Sequence, residues 1–201
     1  MKVAIVGAPG AGKTTLAQGL ASALKSDGYG AVYCPEYARE YITRYGALES
    51  PFEQLLIFHC QRDMEDLACQ HHDIVVCDTS TWLCTLYARL LAGLFTTSRV
   101  LALLDYLDQA ARRHLETYDL TILLPHQSVF QKDVARVYDP ALHVQIQEMI
   151  EAYLHLEDVS YYVVTGGYKE RLDTAYQLTV EAFLGLGKVL SQEGCADAVR
   201  G

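Results

Sequence analysis

The sequence predicts an α/β domain in which a parallel sheet carries helices on both faces. Three observations point to it. Short apolar runs alternate with longer amphipathic segments from one end of the chain to the other. The runs are apolar nearly throughout rather than at every second residue, as strands covered on both faces are. Each run also leads into a glycine or a polar residue, namely Gly7, Glu36, Asp78, His126 and Gly166. These positions fall at the carboxyl ends of the strands, where ligands bind in open sheets of this kind.

The elements follow in order. Val3 to Val6 is a buried strand, and Thr14 to Lys25 repeats Leu16, Leu20 and Leu24 on one helical face. Asp27-Gly28-Tyr29-Gly30 is a turn before a second strand, Ala31 to Cys34, after which Pro35-Glu36 opens a helix with proline at its first position. Ser50-Pro51 starts a longer helix with Phe52, Leu56, Cys60, Met64 and Leu67 on one stripe. Asp73 to Cys77 is a β-branched third strand. Helices follow over Thr81 to Leu91 and Arg99 to Leu115, then a fourth strand at Leu120 to Leu124 and a polar segment from His126 to Pro140. A helix to about Leu154, a fifth strand at Tyr161 to Val164 and a last helix from Arg171 to Leu190 complete the chain.

With 201 residues and 51% hydrophobic content, the chain can bury one substantial core but hardly two, so residues 1–193 are expected to form a single domain and residues 194–201 a frayed tail. Sixteen basic and 25 acidic residues give a net charge of -9, with the Lys and Arg spread out rather than clustered, which argues against broad nucleic-acid binding. No apolar run approaches the roughly 18 residues of a spanning helix, and Gly7 interrupts the apolar N-terminus too early for an export signal. Six scattered cysteines without CxxC pairs then read as reduced thiols of a cytoplasmic protein that binds no membrane. Cys69, His71, His72 and Cys77 lie near one another in sequence, but at spacings that fit no tetrahedral zinc site. Oligomeric state is not legible.

Gly7-Ala8-Pro9-Gly10-Ala11-Gly12-Lys13-Thr14 matches G-x-x-x-x-G-K-[ST], with a strand before it and a helix after it. Glycines let the loop curl so that backbone N–H groups from Gly10 to Thr14 and Thr15 converge on a phosphate, reinforced by the positive end of the helix. Lys13 reaches the β- and γ-phosphates and Thr14 is placed to ligate Mg²⁺, so the implied cofactors are ATP and Mg²⁺. Pro9 has no N–H to give and must occupy a position the phosphates do not use.

Asp78, at the end of IVVC, is either an N-cap for the next helix or the acidic residue that completes the Mg²⁺ shell or meets an acceptor. Glu36, Arg39, Glu40 and Thr43 share one face of the second helix and offer an acid and a base to whatever lies over the sheet; dipole complementation and solvated charge are the plainer reading. Gln131-Lys132-Asp133-Val134-Ala135-Arg136 lies where a lid would sit, with Arg136 able to neutralise charge on a transferring phosphoryl group. Small-molecule kinases need a carboxylate to orient and deprotonate the acceptor hydroxyl, and the guanine-reading N-K-x-D tetrapeptide of switch GTPases does not occur. Tyr37, Tyr41 and Trp82 could stack on an aromatic base or belong to the core. His59 and Gln61 are weaker candidates still, since on a helix such residues are more often solvated or capped by neighbours.

Taken together, the loop, Glu36-Tyr37-x-Arg39-Glu40, Phe58-His59-x-Gln61-Arg62, Asp78-Thr79, Tyr118 to Leu124, Asp133-x-x-Arg136 and Tyr168 to Arg171 resemble the ribosylnicotinamide kinase domain of NadR-type proteins of bacterial NAD biosynthesis. The loop departs from that family's usual G-x-E-S-S-G-K-[ST]. The resemblance implies a P-loop NTPase fold of the nucleoside and nucleotide kinase type, with five parallel strands in the order 2-3-1-4-5. It implies transfer of the ATP γ-phosphoryl group to the 5′-hydroxyl of nicotinamide riboside, with Lys13, Glu36, Asp78 and Arg136 catalytic. Glu36, Tyr37, Arg39, Asp78 and Trp82 would face the acceptor, and Thr14 and Asp78 the metal. Glu36 is the first choice as base and Asp78 the competitor. A kinase of another nucleoside or nucleotide, and an ATPase whose nucleotide state controls a protein partner, are the alternatives.

Overall fold

A computed structural model describes residues 1–93, 97–126 and 140–197, with side chains described as far as residue 186. The expected strand order is the observed one. Strands β1 (Lys2–Val6), β2 (Ala31–Cys34), β3 (Ile74–Cys77), β4 (Leu120–Leu123) and β5 (Tyr162–Val163) form one sheet in the order β2-β3-β1-β4-β5. Every neighbouring pair is parallel, with Ala4 of β1 opposite Cys77 on one side and Thr121 on the other.

Helices α1 (Lys13–Ser26) and α7 (Tyr168–Asp197) cover one face, and α3 (Glu53–His71), α4 (Leu83–Ala92), α5 (Ser98–Leu115) and α6 (Pro140–Leu156) build against the other, with α2 (Tyr37–Tyr45) packed on α3. The two-residue period of β1 divides its side chains between these layers. Val3 and Ile5 pack with Leu16, Leu20, Leu24 and Ala175, whereas Ala4 and Val6 join Phe58, Trp82, Leu107 and Ile150. This double burial explains why the strand reads as a continuous apolar run. No helix among the described residues is long and apolar enough to cross a membrane.

Three boundaries differ from expectation. Strand β5 shrinks to two residues, both exposed, because it is the sheet edge and pairs only with β4. Pro35 does not open α2: Glu36 is the N-cap in an extended conformation (φ −72°, ψ 110°), and the helix begins at Tyr37. The last helix starts at Tyr168 and runs to Asp197, so residues 194–197 of the expected tail continue it; 198–201 lie outside the described residues.

The turn from β1 into the loop depends on Gly7. Its φ is +151°, and a Cβ built there would stand 2.5 Å from the Leu124 carbonyl oxygen at the end of β4. A side chain would therefore force apart the strands that frame the loop, in a backbone region that L-residues rarely adopt. Gly7→Ala is expected to lower unfolding free energy by about 2 kcal/mol or more in urea denaturation.

Candidate active site

The loop from Gly7 to Thr14 closes over the carboxyl end of β1. Gly12 caps α1 in the left-handed conformation (φ 91°, ψ 18°), which turns the chain so that the α1 N-terminus faces the loop interior. Lys13 is buried and folds back, its Nζ donating to the carbonyl oxygens of Gly7 and Ala8 at 3.0 and 3.1 Å. It thus stands over the hollow that a phosphate would enter. Gly10, Gly12 and Thr15 are exposed, and Ala11 is buried.

Two distant side chains brace the loop. Gln147 of α6 accepts the Ala8 N–H through Oε1 at 2.9 Å, and the buried Arg171 of α7 donates to the Ala11 and Gly166 carbonyls at 2.9 Å each. Burial lowers the Arg171 pKa from its ordinary value. Sequence reading marked Arg171 only as part of a similar stretch and missed Gln147 altogether, since contacts spanning 139 and 160 residues leave no local pattern.

Asp78 does not cap a helix. The α4 N-cap is Trp82, and Asp78 instead lies 1% exposed just beyond β3. Its Oδ2 accepts from the Tyr33 hydroxyl at 3.0 Å, while Oδ1 is buried with no hydrogen-bond partner among the described residues. Burial raises the Asp78 pKa; the Thr14 hydroxyl pulls it back, Glu36 pushes it further up, and Lys13 and Tyr33 oppose that. A buried carboxylate oxygen left without a donor, beside a threonine hydroxyl and at the edge of a phosphate cradle, fits a hard cation. Thr14 and Asp78 would hold Mg²⁺ there together with phosphate oxygens, as this ion prefers over an all-protein cage.

The next residue is strained. Thr79 has φ 142°, an outlier for a β-branched residue that costs on the order of 1–3 kcal/mol. Its side chain contributes to a cavity of about 230 Å³ running from the loop under α2 to α4 and α6. The walls are mainly apolar, including Ile42, Leu48, Ile57, Leu83 and Ile146, and Pro9 and Glu36 also line it. Pro9 thus turns one side of the phosphate loop toward this cavity, a role that needs no N–H. Glu36 is 9% exposed, and Arg39 Nε lies 3.8 Å from its Oε2, on the side of a second, polar cleft shared with Glu40, Thr43 and Arg44.

Of the residues assigned from sequence, Lys13, Thr14, Glu36, Arg39 and Asp78 surround the loop and cavity mouth. Trp82 takes the core one of its two readings and not a place facing the acceptor: it is fully buried and stacks on Tyr153 at 4.6 Å, outside the cavity lining, because its indole fills the core beneath α4. The Tyr37 ring also lies outside the lining; its backbone N–H instead donates to Gln61. Tyr41 pairs with Tyr45 at 4.9 Å, and His59 meets the Tyr106 hydroxyl at 3.0 Å on the surface. Gln61 is the reverse case, 2% exposed and part of the cavity wall rather than solvated. Gln54 and His143 also line it and carried no sequence signal. Arg136 lies outside the described residues.

Fold and loop together define a P-loop nucleotide-binding protein. The comparisons narrow this: residues 2–171 match a family model described as an AAA domain, and the chain belongs to that family. Among solved structures it is similar to NadR protein in complex with NR, with 21% identity and a TM-score of 0.68, covering 90% of this chain and 51% of that one. It is also similar to thymidylate kinase from Ehrlichia chaffeensis, with 19% identity and a TM-score of 0.56, covering 95% and 98%. This chain thus spans about half the length of the NadR chain. No curated protein matches the sequence.

Asp78→Asn keeps the size of the side chain and removes its charge. It is expected to weaken Mg²⁺ affinity of the ATP-bound protein by about 10- to 100-fold, measured by Mg²⁺ titration, with metal-free ATP binding little changed.

Proposed function

We propose that this chain is an ATP- and Mg²⁺-dependent kinase of a small hydroxyl compound, with the 5′-hydroxyl of nicotinamide riboside as its acceptor. The observation that carries the reading is the placement of Glu36. It lines a mostly apolar cavity to which Pro9 of the phosphate loop also contributes. A switch ATPase has no need of a small-molecule cavity at that point. The printed descriptions of the two similar structures, one complexed with NR and the other a thymidylate kinase, are in keeping with it.

The two carboxylates divide the work. Asp78 lies outside the cavity lining and beside Thr14, whereas Glu36 lines the cavity itself. Glu36 therefore receives the proton of the acceptor hydroxyl as its oxygen bonds to the γ-phosphorus and the bond to the ADP oxygen breaks. Lys13 swings from the Gly7 and Ala8 carbonyls to the phosphates, and Arg39 flanks the transferred group. Mg²⁺, when bound, neutralises charge on the phosphate oxygens. The apolar walls exclude water, so that hydrolysis does not compete with transfer.

Glu36→Gln is expected to lower acceptor phosphorylation by about 10²- to 10⁴-fold while ATP binding stays intact. The check is incubation of both proteins with Mg·ATP and a panel of nucleosides and mononucleotides, read by mass spectrometry. Phosphate gained by another panel member but not by nicotinamide riboside would move the acceptor and keep the class. Hydrolysis only in the presence of a protein partner would replace the kinase with a switch.

A further inference from the structure

We propose that Glu65 is a positioning residue: its buried carboxylate fixes the segment bearing Glu36 relative to the segment bearing Asp78. Glu65 lies on α3, 0% exposed, and is absent from the cavity lining. Its two oxygens serve two different segments. Oε1 accepts from Gln61 Nε2 at 3.0 Å, and Gln61 Oε1 in turn accepts the N–H of Tyr37, the residue after Glu36, at 2.7 Å. Oε2 accepts from the Tyr118 hydroxyl at 2.7 Å, and the same hydroxyl oxygen accepts the N–H of Thr81 at 3.0 Å.

Donor and acceptor logic explains why a carboxylate is needed. An ionised carboxylate only accepts, so both Gln61 and Tyr118 must point a proton at it. That leaves the Gln61 carbonyl facing the start of α2 and a Tyr118 lone pair facing the loop that follows Asp78. A neutral residue of the same shape would turn a donor toward one of the two arms and break its direction. Lys2 of β1, with Nζ 3.6 Å from Oε2, supplies the counter-charge a buried carboxylate requires. The kinetic consequence rests on the kinase reading above; the structural one does not.

The arrangement is pH-sensitive. Burial pushes the Glu65 pKa up to about 7, against the opposing pull of Lys2, Tyr118 and Gln61. The other titratable groups around it are Asp66 and Cys69 on α3, Cys77 of β3, Cys84 of α4 and His114 of α5. As pH falls through 7, Glu65 gains a proton, becomes a donor at one oxygen and loses one arm.

The test compares wild type with Glu65→Gln and Tyr118→Phe by amide hydrogen exchange and steady-state kinetics. In Glu65→Gln one of the two amides, Tyr37 or Thr81, is expected to exchange at least about tenfold faster, with β1 amides unchanged. kcat should fall by about 10- to 100-fold while KM for ATP stays within about twofold, and the acid limb expected near pH 7 in the wild type should move to lower pH. Tyr118→Phe should release Thr81 alone, and it decides the matter if Glu65→Gln does not fold. Wild-type exchange at both amides in the variants, or a Glu65→Gln kcat profile whose acid limb stays where the wild type has it, overturns the proposal. If wild type itself phosphorylates nothing, the kinase reading fails, and the exchange rates still decide the role of Glu65.

Discussion

The site depends on one buried carboxylate that the protein does not fully satisfy. Asp78 is 1% exposed, gives one oxygen to Tyr33 and leaves the other without a donor among the described residues. A buried carboxylate oxygen with no protein donor, next to the Thr14 hydroxyl, suits a hard cation or a water that the cation holds. The parallel sheet puts this oxygen beside the phosphate loop. Pairing of Ala4 with Cys77 puts the ends of β1 and β3 side by side, so the phosphate loop and Asp78 emerge next to each other. Thr79, at φ 142°, then turns the chain sharply away and lets Thr79 and Ser80 wall the neighbouring cavity.

From this constraint the division between nucleotide and acceptor follows. Pro9 lies on the boundary, contributing to the cavity and withholding an N–H from the phosphates. The Ala-Pro-Gly-Ala core of the loop is thus shaped as much by what lies behind it as by the phosphate in front. Glu36 occupies the opposite side of the mouth because it is the extended N-cap of α2 rather than a residue within the helix. The junction that bears it is tied to Gln61 through the Tyr37 amide.

Much of this was legible in the sequence, because it is written in local pattern. The period of the apolar residues distinguished strands from helices, and the residues ending each strand named the loop, Glu36 and Asp78. What the pattern could not show is pairing across long separations. Trp82 reads as a stacking surface for a base or as core, and only Tyr153, from a helix far along the chain and lying parallel to it, decides for the core. Gln61 sits at a helical position that reads as solvent-facing, yet the packing of α2 on α3 buries it. Gln147 and Arg171 brace the loop from α6 and α7, and neither carries a motif of its own. Pro35 misled for a smaller reason: an X-Pro-Glu stretch suits a helix start and an extended approach to one equally well.

The account stands or falls on what occupies the space between Thr14, Asp78 and Glu36. A crystal structure with Mg²⁺, a non-hydrolysable ATP analogue and nicotinamide riboside tests it most directly. The account predicts the cation in the first or second coordination shell of Thr14 and Asp78, Lys13 on the terminal phosphates, and the acceptor hydroxyl between Glu36 and the γ-phosphorus with its ring inside the apolar cavity. A nucleotide bound with the cation remote from Asp78, or a cavity that stays closed to any acceptor while Glu36 turns into solvent, would contradict it.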